Sequence, residues 1–129
     1  MQKITGVIIT LNEANNIEDC IASLRLVCDE IIIVDSGSQD QTITLAEAAG
    51  ARVFTQPYLG DGPQKNYGLQ FAKNNWILSL DADERLTPEL VSIVKQLDLT
   101  NTSHDAFAMR RRNYIGSRWI RRCGWYPDY

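Results

Sequence analysis

Histidine is nearly missing from this 129-residue chain: His104 is the only one. It stands in a polar stretch with no partner nearby in sequence and reads as a surface residue. Histidine-based acid–base or metal chemistry therefore has little to build on. Cysteine is scarce and odd in number. Cys20, Cys28 and Cys123 form no Cys-x-x-Cys pair, which argues against a disulfide framework or a zinc site. Cys20 instead falls on the apolar face of an expected helix, as a core residue would. No apolar run approaches the roughly 20 residues needed to span a bilayer. The opening Ile4–Leu11 segment lacks the basic flank and small-residue cleavage site of a signal peptide. A cytoplasmic location is the expectation.

What remains is an ordinary globular composition, 44% hydrophobic and 22% charged, in a length suited to one domain. The net charge of −3 hides an asymmetry. Residues 1–109 carry 15 acidic and 7 basic side chains, whereas residues 110–129 carry six arginines and one aspartate. Such a split suggests two tasks: a metal and a nucleotide on the acidic part, and something anionic near the basic end.

Apolar periodicity predicts alternating strands and helices. Ile4–Thr10 reads as a strand. Asn15 or Asn16 then caps a helix with Ile17, Cys20, Ile21 and Leu24 on one face. Glu30–Val34 is a β-branched run suited to a strand buried on both sides. Asp40 is placed to cap a helix through Ala49, stopped by Gly50. Arg52–Phe54 is a short strand, and Pro63 starts a helix that runs through Lys73. Trp76–Leu80 is the next strand. Thr87-Pro88-Glu89 opens a helix burying Leu90, Val91, Val94 and Leu97, with Glu84 and Glu89 serving its first turn. Ala106–Arg112 reads as a final strand. The alternation predicts an α/β fold with a mainly parallel sheet, whose ligands bind beyond the carboxyl ends of the strands.

Two acidic segments fall at those ends. Leu80-Asp81-Ala82-Asp83-Glu84 follows an apolar run, and residues two apart on a strand share a face. Asp81 and Asp83 can hold Mg²⁺ or Mn²⁺, which then grips a diphosphate; an acidic turn capping the next helix is the plainer alternative. Val34-Asp35-Ser36-Gly37-Ser38-Gln39-Asp40 is the second. Asp35 can accept from a base or ribose, and Gly37 and Ser38 permit close backbone approach. Thr10-Leu11-Asn12-Glu13 closes the first strand, either touching a nucleoside or forming a polar turn. Gln64, Lys65 and Asn66 stand near a helix N-terminus, where anions are favoured; a solvated lysine is the alternative. Trp119, Trp125, Tyr126 and Tyr129 among arginines suit a phosphorylated sugar or a lipid–water boundary. The acidic balance of the chain speaks against nucleic acid.

Together, Thr10-Leu11-Asn12-Glu13, Ile32 through Thr42, Gln64-Lys65-Asn66-Tyr67-Gly68 and Leu80 through Glu84 resemble the family 2 glycosyltransferases. The likeness is strongest to the bacterial branch that glucosylates the lipopolysaccharide inner core, which the ending Gly124-Trp125-Tyr126-Pro127-Asp128 also resembles. The resemblance implies a GT-A-type, Rossmann-like α/β/α sandwich, a UDP-sugar donor, a Mg²⁺ or Mn²⁺ cofactor, and inverting transfer to a lipopolysaccharide-core or other glycan acceptor. It implies that Asp35 meets the base and Asp83 the metal, with Asp81 and Ala82 beside ribose or metal. Thr10, Leu11, Asn12 and Glu13 would lie near uridine, and Gly37, Ser38, Gln64 and Lys65 would complete the nucleotide-sugar pocket. Residues 1–129 would then be the donor domain, with 110–129 opening the acceptor side and further chain expected after it. Asp128 is the base candidate within the terminal segment, and peripheral contact with the inner membrane is a corresponding expectation. A non-catalytic nucleotide-sugar-binding module and a Mg²⁺-binding receiver domain are the competing readings. A receiver needs an acidic pair after its first strand, where this chain has Asn12-Glu13.

Overall fold

The computed structural model describes residues 3–99 and the backbone of two short strands at 113–115 and 118–120. The strand expected at Ala106–Arg112 lies outside the described residues, as do His104, Cys123, Asp128 and the arginine and aromatic side chains from Arg110 onward. The described elements are β1 (Ile4–Thr10), α1 (Ile17–Arg25), β2 (Glu30–Asp35), α2 (Thr42–Ala48) and β3 (Arg52–Thr55). They continue with α3 (Asp61–Leu69), β4 (Trp76–Asp81), α4 (Pro88–Gln96), β5 (Asn113–Ile115) and β6 (Arg118–Ile120). The last two form an antiparallel pair that the sequence reading did not anticipate.

β1 to β4 make one parallel sheet in the order β3-β2-β1-β4. The chain steps outward from β1 to β3, then returns to place β4 on the other side of β1. Right-handed crossovers put helices of the two stepping directions on opposite faces. One face accordingly packs α1, α2 and α4 through Ile21, Leu24, Ala46, Val91 and Val94 onto Ile8, Ile31, Ile33 and Leu80. On the other face Val7, Ile32 and Val34 pack against Tyr67 of α3 and against Phe54 and Phe71. The fold is therefore the expected α/β/α sandwich.

The four positions expected on the buried face of α1 are all buried. In α4, Val91 and Val94 are buried and Leu90 and Leu97 partly so, and Thr87 caps the helix by accepting from the Leu90 amide at 3.1 Å. Helix α3 differs from expectation, starting at Asp61 and ending at Leu69 instead of running to Lys73. The chain tightens there, with Phe71 N–H donating to Gly68 O and Ala72 N–H to Leu69 O, both at 3.1 Å. That turn lets Phe71 stack on Phe54, with centroids 3.7 Å apart, and lets Lys73 N–H reach Glu30 Oε1 at 2.8 Å. Tertiary contacts override local helix propensity.

Two buried carboxylates fix how β1 lies on β2. Thr5 pairs with Glu30 and Thr10 with Asp35 across the strands. Thr5 Oγ1 donates to Glu30 Oε1 at 2.7 Å, and Thr10 Oγ1 donates to Asp35 Oδ1 at 2.7 Å. Glu30 also accepts from Arg52 at 2.9 Å.

Close packing of α3 depends on Gly68. A Cβ there would meet Val34 Cγ2 at 2.9 Å and Val7 Cγ1 at 3.2 Å, and both neighbours are β-branched and stiff. Overpacking of this kind costs roughly 1–3 kcal/mol, against a helix-propensity gain of about 1 kcal/mol. Gly68→Ala is therefore expected to lower the urea midpoint; a raised midpoint would contradict this packing.

Candidate functional site

The strand order reverses between β1 and β4, so their carboxyl ends part and leave a crevice. A cleft of about 420 Å³ lies there. Of the residues singled out from sequence, Thr10, Leu11, Glu13 and Gln64 line it, together with Asp81, Ala82 and Asp83. Lys65 does not line it and reaches its edge only through Asp81; Asn12, Asp35, Gly37 and Ser38 do not line it either. They form a framework behind it.

That framework is centred on Asp35, which is fully buried. Its Oδ1 accepts from Thr10 Oγ1 at 2.7 Å and Ser38 Oγ at 2.6 Å. Its Oδ2 accepts from the amides of Gly37 at 2.9 Å and Ser38 at 2.7 Å. Four hydrogen bonds match the capacity of a carboxylate. Gly37 has φ +113°, a backbone region open mainly to glycine, and this lets two successive amides turn onto one oxygen. Burial by itself would raise the Asp35 pKa, but the bonds from Ser38, Thr10 and Gly37 outweigh it and hold the carboxyl below its usual range.

The same loop is clasped to the one after β1. Ser38 Oγ accepts from Asn12 N–H at 2.8 Å, and Asn12 Oδ1 accepts from Gln39 N–H at 2.8 Å. Asn12 takes φ 53° to do so, a left-handed conformation asparagine tolerates. Thr42 Oγ1 accepts from Glu13 N–H at 2.8 Å. Asp40, expected as a plain helix cap, accepts from Thr42 N–H at 2.9 Å and also from Ala14 N–H at 3.1 Å across the gap. Thr10–Glu13 is thus fixed in place by the Asp35–Thr42 segment.

β4 ends at Asp81, and Ala82 and Asp83 lie in a turn. The expectation of two carboxylates on one strand face is met for Asp81 alone; Asp83 is set by the turn. Glu84 closes that turn, its Oε1 accepting from Asp81 N–H at 2.8 Å while its own N–H donates to Asp81 O at 2.9 Å. Glu84 precedes Pro88 by four residues, so it serves this turn and not the first turn of α4. Lys65 Nζ lies 3.6 Å from Asp81 Oδ1.

Gln64 is 1% exposed, and both ends of its amide are engaged. Its Nε2 donates to Gln56 O at 2.8 Å, and its Oε1 accepts from Leu59 N–H at 2.9 Å. It holds the loop between β3 and α3 against the helix. That loop supplies cleft residues missed from sequence, above all Tyr58, whose hydroxyl donates to Asp61. Its position after a strand's carboxyl end was the available signal. Asn66 is exposed and does not line the cleft.

Among the described residues, no group of three or more His, Cys, Asp and Glu side chains is placed to hold a metal by itself. Burial pushes the thiols of Cys20 and Cys28 up to about 12, so neither is a nucleophile at neutral pH.

Glycosyl transferase family 2 matches residues 5–126 of this chain. The chain belongs to that family. An uncharacterized glycosyltransferase of Rickettsia bellii is 48% identical over 89 residues, covering 69% of this chain and 30% of that protein. The lipopolysaccharide core biosynthesis glycosyltransferase LpsC of Rhizobium meliloti is 35% identical over 117 residues, covering 87% of this chain and 43% of that protein. Among solved structures, glucosyl-3-phosphoglycerate synthase of Mycobacterium tuberculosis, in complex with Mn²⁺, UDP and glucosyl-3-phosphoglycerate, is 30% identical with a TM-score of 0.56. That match covers 65% of this chain and 36% of the synthase chain. S. aureus TarS 1–349 shares the fold at 24% identity and a TM-score of 0.62, covering 73% of this chain and 31% of its own. The family 2 chain thus spans between 30% and 43% of the length of these relatives. Its sandwich is of the GT-A type, and family membership sets the receiver-domain reading aside.

Asp35→Asn keeps the shape but turns an amide NH₂ toward donors, and losing hydrogen bonds to a charged acceptor costs roughly 1.5–3 kcal/mol. Urea unfolding at pH 7 is expected to show a loss of that size. The folded Asp35 binds its proton less readily than the unfolded chain does, whose aspartate pKa is about 3.9. Its stabilisation is therefore complete above that value and lost as pH falls through the lower folded pKa. Below about pH 4 the stability curves of wild type and Asp35→Asn are expected to converge; parallel curves would contradict the assignment.

Proposed function

We propose that this domain binds a UDP-sugar with a divalent cation in the β1/β4 cleft and transfers the sugar, with inversion, to a glycan acceptor. The observation that carries the reading is the cleft itself. Two carboxylates, a lysine and a pre-fixed polar loop converge where an open parallel sheet takes its ligands. Two carboxylates are too few for an all-protein cage, but they suit Mg²⁺ or Mn²⁺, which takes its other ligands from phosphates and water. Asp81 and Asp83 would hold the cation. Bound there, it would neutralise the departing diphosphate as a Lewis acid.

The remaining roles follow from the chain's own groups. Leu11, 54% exposed at the cleft, offers an apolar surface to a base, and the Thr10–Glu13 backbone offers fixed polar groups to the nucleoside. Asp35, buried behind the cleft wall, positions that segment through Thr10 and Ser38. Gln64, accepting from Leu59 N–H, positions Tyr58 on the opposite wall. Inversion needs an acceptor hydroxyl attacking opposite the diphosphate and a carboxylate to take its proton. Asp128 is the candidate for that base.

The finer identity of the reaction rests on relatives. The synthase binds Mn²⁺ and UDP, which supports UDP as the nucleotide. LpsC is named for lipopolysaccharide core biosynthesis, which supports a lipopolysaccharide-core acceptor, and a complex of the synthase with UDP-glucose supports glucose as the sugar. An acceptor of this kind would bring the arginine- and aromatic-rich end to the inner membrane surface from the cytoplasmic side. No described helix is long and apolar enough to cross a membrane.

Calorimetry with UDP is expected to show binding that depends on Mn²⁺ or Mg²⁺, and Asp83→Ala is expected to abolish the metal-dependent part. A diphosphate meeting carboxylates needs a cation between them. UDP binding of equal strength in the variant, with metal present, would overturn the assignment.

A further inference from the structure

Lys65 is the fifth residue of α3 and Asp81 the last of β4. Their side chains meet at the cleft with Nζ and Oδ1 3.6 Å apart. That separation is too long for a good hydrogen bond. The two side chains also keep 35% and 44% of their surface in solvent. The attraction is a screened Coulomb one, of the kind that breaks easily. Arg85, close by in sequence, donates through Nη1 to Asp83 O at 3.5 Å and through Nη2 to Asp19 on α1 and to the N-cap residue Asn16, at 3.3 Å each. From α3, Lys65 brings a positive charge to the cleft carboxylate Asp81.

A divalent cation on Asp81 and an ammonium on the same carboxylate repel each other. Resting on the reading of the cleft as a metal–diphosphate site, we infer that Lys65 is a resident counter-ion. It holds Asp81 in the donor-free cleft and is released to the diphosphate when the cation takes the carboxylate. Lys65 then opposes the cation alone and favours the cation with its diphosphate. The lysine thereby couples the two ligands, because each binds better once the other is present. A free cleft does not hold the metal tightly, and a loaded one gathers the lysine onto the leaving group.

The test measures two affinities by calorimetry on the whole chain: Mn²⁺ alone, and UDP in saturating Mn²⁺. Lys65→Met is expected to change them in opposite directions. Mn²⁺ alone should bind about two- to fivefold more tightly, the range for losing an exposed ion pair. UDP with Mn²⁺ should bind about tenfold more weakly or worse, through loss of a charged hydrogen bond. Lys65→Arg keeps the charge and should leave the Mn²⁺-alone affinity near wild type. If Lys65→Met leaves Mn²⁺ affinity unchanged or lowers it, or if Lys65→Arg tightens it equally, the counter-ion role is overturned while the site reading stands. If wild type itself shows no Mn²⁺-dependent UDP binding, the site reading falls instead.

Discussion

The register of β1 on β2 is the constraint from which the site follows. A parallel strand pair buried on both faces offers little to distinguish one register from another when both strands are runs of isoleucine and valine. Here each end of β2 carries a buried carboxylate, Glu30 at the start and Asp35 at the finish, and each accepts from a threonine of β1. Slipping by one residue would take each carboxylate away from its threonine, and a lost hydrogen bond to a charged acceptor costs roughly 1.5–3 kcal/mol. The two pairs set the height at which Thr10 leaves the sheet, and so the height of the loop that follows.

From Asp35 the constraint passes to the cleft through hydrogen bonds alone. Ser38 ties Asp35 to Asn12, Thr42 and Asp40 tie the next helix to Glu13 and Ala14, and the loop after β1 has little freedom left. A wall fixed before the ligand arrives loses little entropy on binding. The other side of the cleft is built differently. Tyr58 and Leu59 stand exposed, held from behind by one buried glutamine, and Asp83 stands in an exposed turn. The molecule thus sets a rigid wall after β1 against a more accessible one at the end of β4 and the start of α3.

The strands, their order of appearance and the buried stripes of α1 and α4 were legible in sequence because apolar periodicity is a local signal. The position of the cleft was legible too, since acidic strand ends at Asp35 and Asp81 pointed to one sheet edge. What was not legible is how polar groups are shared between loops distant in sequence. Asp40 looked like a cap and also bridges to Ala14; Glu84 looked like part of a helix start and closes the Asp81 turn. Gln64 looked like a ligand group and holds the Tyr58 loop. Nothing local in Phe71 or Lys73 says that stacking on Phe54 and a bond to Glu30 will end α3 early.

On the proposed function, cation and nucleotide meet in the β1/β4 cleft at the carboxyl end of the sheet. A second crevice, of about 240 Å³, lies beside Arg25, Arg52, Lys73 and Asn74 at the amino end, so location alone discriminates. Paramagnetic broadening of backbone amide signals by Mn²⁺ in the presence of UDP measures it directly. The expected result is broadening centred on Leu11–Glu13 and Ala82–Glu84, with Asp29–Glu30 and Lys73–Asn74 unaffected. Broadening centred on the amino-end crevice, or none that depends on UDP, would contradict the claim.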